Sequence, residues 1–236
     1  MGKSLGKALE SALKNKNQSA LPQGRPSRLI FSNACRREAF SLASLTPCVC
    51  ASDIAKALSI KANTASWHLS ILKDSGYLVE RTLGRRKVFF PEGQITPEEV
   101  QIFFVLNKNK EKILISLILA SPGLSQNELS RAAGSSHQSI SKSAEAMKKT
   151  GLVTIVAEGS HVRYFPTSLL IERGKEFYSR SNRFTKFLLK NLEDSGEEPS
   201  VVKKSEDKVI IELGPKKARY TMQVGINPYL TSLEAL

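Results

Sequence analysis

Residues 52–91 read SDIAKALSIKANTASWHLSILKDSGYLVERTLGRRKVFFP, and the fold turns on them. Ser52 or Asp53 suits the cap of a short helix that buries Ile54, Ala57 and Leu58. The run Ser59-Ile60-Lys61 breaks that helix with a brief turn. A second helix is expected over about residues 63–75, because Ala65, Leu69 and Leu72 recur at i, i+4 and i+7 on one face. Gly76 stands where a left-handed residue closes a helix. Residues 77–82 read as a strand, Leu83-Gly84-Arg85 as a hairpin turn, and residues 87–90 as the return strand. Two helices, a tight turn and a two-stranded wing predict a winged helix-turn-helix. That motif sends its second helix into the DNA major groove.

The polar residues agree with this pattern. Lys61, Asn63, Thr64, Ser66, Trp67, Ser70 and Lys73 fall off the apolar face of the second helix, and the wing carries Arg81, Arg85, Arg86 and Lys87. A basic hairpin tip beside a polar helix face is what phosphate binding requires. The bland reading is a solvated helix and a charged hairpin on an ordinary domain.

This stretch resembles the ArsR-type winged-helix regulators. The resemblance rests on Asp53-Ile54-Ala55 with Leu58, on Thr64-Ala65-Ser66-Trp67-His68-Leu69 with Leu72, on Gly76-Tyr77-Leu78-Val79, and on Gly84-Arg85-Arg86-Lys87-Val88-Phe89-Phe90. It implies that residues 64–69 belong to the recognition helix. Trp67 departs from the family, which usually has Arg or Lys there; an indole at that position stacks on sugar or packs against a partner. His68 matches a family helix position and reads as packed.

Thirty-five Lys and Arg stand against 22 Asp and Glu, a formal net charge of +13 over 236 residues. The length leaves room for two small domains and tails. The charge points to a polyanionic partner, although ribosomal, RNA-binding and membrane-surface proteins are equally basic. No run of 18 apolar residues exists, and residues 114–120 are far too short to cross a bilayer. The start has no signal-peptide h-region, and Gly6 stands where a myristoylation motif wants Ser or Thr. Three cysteines at this spacing do not suggest a disulfide scaffold, so a cytoplasmic location is expected.

An internal repeat organises the rest. Gly76 and Gly151 are 75 residues apart, and the same gapless offset pairs Leu42 with Leu117, Pro47 with Pro122, and Asp53 with Glu128. It also pairs Ile54 with Leu129, Ser66 with Ser141, Lys73 with Lys148, Gly84 with Gly159, and Phe89-Phe90-Pro91 with Tyr164-Phe165-Pro166. Helix faces, turn glycines and strand ends stay in phase, which predicts a second winged helix. Its recognition helix is expected over residues 136–149, with His137, Gln138, Ser139, Ser141 and Lys142 exposed. Its wing turns at Gly159 and keeps only Arg163 as a cation, where Ser160, His161 and Val162 replace Arg85, Arg86 and Lys87.

The expected fold is therefore α+β and mostly helical. A basic arm at residues 1–27 precedes winged helix-turn-helix domains at 28–92 and 100–167. In the first domain a helix over residues 28–45 is expected to bury Ala39, Leu42 and Leu45. Residues 92–99 and 193–200 read as linkers. A long helix at 168–193 carries Leu170, Phe177, Phe184, Phe187, Leu188 and Leu192 on one face; that stripe suits packing on its own domain or lying on a membrane surface, and the ArsR resemblance implies a homodimer contact as the other use of a helix that follows a wing. Residues 194–236 form a tail with a β-hairpin of strands 208–213 and 219–224.

Cys35, Cys48 and Cys50 offer a candidate thiol site for soft ions, since the ArsR resemblance extends to metal sensors that carry a Cys-x-Cys pair close by. Aligning Asp53-Ile54-Ala55 with the family puts Cys50 at the first ligand position and Ser52 at the second, so structural cysteine is the expectation and no cofactor or metal is. No phosphate loop, nucleophile elbow or paired carboxylate appears, and an enzyme is not expected. The predicted function is a transcriptional regulator binding double-stranded DNA through its recognition helices and basic wing. The alternative is a tandem winged-helix protein that docks other proteins or organises chromosomes.

Overall fold

The computed structural model describes residues 29–159 and 161–234. The basic arm expected over residues 1–27 lies outside them. After a short 3-10 turn at Ile30–Ser32 come helices α1 (Ala34–Leu45), α2 (Ala51–Ala57) and α3 (Ala62–Asp74), then strands β1 (Leu78–Leu83) and β2 (Arg86–Pro91). Helix α4 (Val100–Leu106) leads into α5 (Asn109–Ala120), β3 (Leu124–Ser125), α6 (Gln126–Ala133), α7 (His137–Lys149), β4 (Val153–Glu158) and β5 (His161–Pro166). The chain closes with α8 (Leu169–Asp194), β6 (Ser200–Lys204), β7 (Lys208–Leu213), β8 (Tyr220–Gly225) and α9 (Pro228–Glu234).

The elements recur in register. Helices α5 and α7 and strands β4 and β5 begin and end 75 residues after α1, α3, β1 and β2. Burial recurs with them: Ala65, His68, Leu69 and Leu72 are buried on α3, and Ile140, Ser143, Ala144 and Met147 on α7. Both helices stop the same way. Gly76 and Gly151 take φ of 77° and 74°, and the next residue donates its N–H back to Leu72 O or Met147 O. A residue with a Cβ is disfavoured there, which is why the glycine repeats. The Asp53 and Glu128 pair also has a cause. Each is the third residue of its helix and accepts the N–H of the cap residue, Cys50 at 3.0 Å and Ser125 at 2.7 Å. The α2 cap is thus Cys50, not Ser52 or Asp53. Helix α1 starts later than expected, because Asn33 accepts the Arg36 N–H at 3.1 Å and so supplies the cap. Its buried face is Ala39, Phe40, Ala43 and Ser44, with Leu42 and Leu45 only half-buried.

Two apolar cores form, and β2 feeds both. Alternate strand residues point to opposite faces. Phe89 joins the first core with Phe31, Phe40, Leu69 and Leu72. Val88 and Phe90 join the second, with Phe103, Ile115, Leu129 and Met147. Burial of such side chains contributes about 1.5–3 kcal/mol each. The first wing is therefore clamped between the halves along its return strand.

Helix α8 spans both cores over its 26 residues. Leu170 and Phe177 enter the second core; Phe184, Leu188 and Leu192 enter the first. The stripe is thus consumed within the chain, except Phe187, which is 40% exposed and lies over Gly93.

The stretches read as linkers are built in. Gln94 is buried and donates from Nε2 to Ser44 O and Gly225 O, both at 2.7 Å. Glu197 is fully buried and accepts the Phe31 N–H at 2.7 Å and the Tyr220 hydroxyl. In the tail, β6, β7 and β8 form an antiparallel sheet in that order, so a third strand joins the two that sequence suggested. The sheet lies on α1. Gly225 comes so close that a Cβ there would stand 2.5 Å from Ser44 O. The Thr231 hydroxyl donates to Leu45 O at 2.6 Å. The carbonyls that a helix end leaves orphaned are in this way satisfied by distant residues.

Candidate nucleic-acid interface

Helix α3 owes its exposed face to the spacing of its apolar residues, which turns the rest outward. Lys61, Asn63, Thr64, Ser66 and Trp67 are exposed, Trp67 to 58%, with its ring 4.8 Å from that of buried His68. Burial, reinforced by the Arg36 charge, lowers the His68 pKa, and its Nδ1 has no hydrogen-bond partner among the described residues. Ser70 and Lys73 are less free than expected. Ser70 donates to Asp74 at 3.2 Å, and Lys73 Nζ lies 3.4 Å from Glu80 and 3.6 Å from Asp74.

The wing divides its charges the same way. Glu80 faces Phe89 across the hairpin, so Lys87 is its diagonal neighbour on the same face. Lys87 Nζ sits 2.7 Å from Glu80, and its hydrogen bond, with that of Lys73, holds the Glu80 carboxyl below the usual carboxylate range. Arg81, Arg85 and Arg86 are exposed, and no carboxylate pairs with them among the described residues. The free cations of this hairpin are thus its three arginines.

In the second half His137, Gln138, Ser141 and Lys142 are exposed on α7. Ser139 is half-buried; its N–H donates to the Ser136 cap at 3.3 Å and its hydroxyl accepts from Lys110 Nζ at 3.1 Å. Arg163 is held by the protein itself. Its Nε is 2.8 Å from Glu158, and its guanidinium donates to Gly123 O at 2.9 Å, tying the second hairpin to the residue just before β3. Arg163 therefore fixes the wing in place rather than projecting from it. Ser160 lies outside the described residues.

Sequence reasoning missed the lysines between these faces. Lys108, Lys110 and Lys112 cluster at the start of α5, with Lys56 on one side and Lys142 on the other. The run at residues 108–112 was visible as charge, but only the packing of the two halves brings it beside the wing.

The cysteines do not converge on an ion. Cys48 is buried with φ of 69° and donates from Sγ to Val100 O at 3.5 Å. Burial, with the neighbouring Cys50, pushes its thiol far above the usual range. Burial also raises the half-buried Cys50, with Asp53 adding to the effect and Arg86 opposing it. Among the described residues no three His, Cys, Asp or Glu side chains are grouped to hold a metal.

Residues 94–163 match the model of the MarR family. The match supports a winged helix-turn-helix of the transcription-regulator kind over that stretch, which is the second half and not the residues that carry the ArsR resemblance. No curated protein matches the sequence. Solved structures similar to part of it include ScpB from Mycobacterium tuberculosis, 15% identical at a TM-score of 0.25, over 59% of this chain and 93% of that one. They also include the DIP2311 protein from Corynebacterium diphtheriae, 17% identical at 0.23, over 61% of this chain and 30% of that one. Scores this low do not establish a shared arrangement. No helix among the described residues is long and apolar enough to cross a membrane.

Proposed function

We propose that this chain is a DNA-binding transcriptional regulator with two winged-helix units in tandem, at residues 28–92 and 100–167. The observation that carries the reading is the first wing. Three unpaired arginines, Arg81, Arg85 and Arg86, stand on a hairpin clamped from behind and next to the exposed polar face of α3. Cations on a rigid hairpin release counterions from duplex DNA without ordering a loop first. The MarR-family match supports the same reading for the second unit. In this reading Asn63 and Gln138 contact base edges, and the wing holds the backbone.

The second reading, a tandem winged-helix protein that docks other proteins or organises chromosomes, draws on Trp67, since an exposed indole is a common interface anchor. Dimerisation through α8 is confined in either reading to its outer side, where Ile171 and Tyr178 are each 59% exposed. Selection of bound duplexes from a random pool tests the regulator reading. Recovery of one preferred sequence supports it; uniform binding to every duplex supports the architectural reading.

A further inference from the structure

The lysines at the start of α5 belong to neither recognition helix nor wing. With Lys108 as the cap of α5, they form one wall of an open groove of about 820 Å³. Lys56 of α2 and Arg86 of the first wing stand on the other wall. Two further hollows adjoin it through shared lining residues: one lies between Lys108, Lys110 and the Gln138, Ser139 and Lys142 face of α7, and the next is lined by Gln138, Lys142 and Lys149.

Cations outnumber carboxylates along this track, and two of the carboxylates are already engaged. Asp53 accepts the Cys50 N–H, and Glu111 is buried and accepts the Ser143 hydroxyl at 3.2 Å. Glu145 is the open acid. Lys112 is half-buried, has no ion-pair partner among the described residues, and its pKa is lowered by that burial. Drawing an ammonium partly out of water without a partner is unfavourable, and an anion entering the groove relieves it.

We propose that this groove seats the phosphate backbone of duplex DNA, so that the wing of the first half and the recognition helix of the second grip one continuous duplex. The inference rests on the DNA-binding reading and deepens it. The two halves form one surface, in which Arg86 and Lys142 lie at successive points of a single strand's path.

The test is an equilibrium titration of the full chain on a random-sequence duplex between 50 and 300 mM salt, which brackets roughly the range where counterion release dominates. The groove variant carries Lys108→Ala, Lys110→Ala and Lys142→Ala. A control of equal charge carries Lys175→Ala, Lys186→Ala and Lys190→Ala on the exposed side of α8. The groove variant should lower the salt slope by about 2–3, close to 0.9 per lost phosphate contact. The control should leave the slope within about 1 of the parent, a smaller loss than three contacts give. Thermal melts like the parent's establish that both variants fold. A parent that binds steeply, with groove and control variants alike, overturns the groove while leaving DNA binding in place. A parent with no salt-dependent binding to duplex removes both. Tighter binding to single-stranded RNA than to duplex, lost in the groove variant, also overturns it.

Discussion

The Glu99 carboxylate takes both terminal nitrogens of Arg180, at 2.7 and 2.8 Å, and the Tyr229 hydroxyl at 3.1 Å. Three stretches far apart in sequence meet there: the end of the segment joining the halves, the middle of α8, and α9. Arg180 also lies over the Phe177 ring at 4.4 Å. A two-pronged pair of this kind holds geometry as well as charge. It is where α8 is pinned to the joint between the halves.

Arg180→Ala should therefore destabilise the fold by about 3 kcal/mol, since it leaves the Glu99 carboxylate buried and short of donors. Urea unfolding measures this. A loss within the range of an exposed pair, about 0–1 kcal/mol, would mean that the joint is held by packing alone.

The same pair sets a pH dependence. Burial pushes the Glu99 pKa up, but hydrogen bonds from Arg180 and the Thr96 N–H outweigh it, and the carboxyl is held below its usual value. Below about 4.3, the ordinary value for Glu, the unfolded chain gains a proton that the folded chain refuses. The stability is present above that value and is lost as pH falls through the folded pKa. Glu99→Gln removes this dependence. The stability difference between parent and variant should be largest near neutral pH and shrink in acid; a difference constant from neutral to acid would contradict the assignment.

Gly225→Ala probes a contact invisible to local sequence rules. The added methyl would meet Ser44 O at 2.5 Å and Leu45 Cα at 2.9 Å, both backbone, so neither can swing aside. The expected cost is about 1–3 kcal/mol. An unchanged midpoint in thermal unfolding would show that the C-terminal sheet is free to lift from α1.

Arg85→Ala with Arg86→Ala should weaken binding to all duplexes alike and lower the salt slope by about 2. Asn63→Ala should cost about 1–3 kcal/mol on the preferred duplex only. Titrations of each variant on preferred and random duplexes separate the two. Because Arg163 is tied to Glu158, Arg163→Ala should alter stability more than salt slope; an equal fall in slope would restore Arg163 as a phosphate contact.

Cys48 should resist alkylation at neutral pH in the folded chain and react once the chain is unfolded, because burial keeps its thiol protonated. Mass spectrometry after iodoacetamide treatment, with and without guanidinium, reads this directly. Labelling of native Cys48 at the unfolded rate would refute it.

The chain's own pattern determined the helices, the turns and their recurrence. Leu69 and Leu72 share a face because of the helical repeat, and Gly76 and Gly151 end their helices because a left-handed residue is needed there. Those causes act within a few residues, so they are written locally. The tertiary structure alone decided which cations are free and which stretches are buried. Lys87 and Arg163 look like Arg85 in sequence, yet Glu80 and Glu158 neutralise them across strand pairs. Glu99 and Glu197 look like linker acids, yet donors from more than 80 residues away in the chain satisfy them. Whether a charge is paired depends on which strand positions and elements the fold brings side by side, and a buried carboxylate such as Glu99 or Glu197 is tolerated only where donors from distant stretches converge.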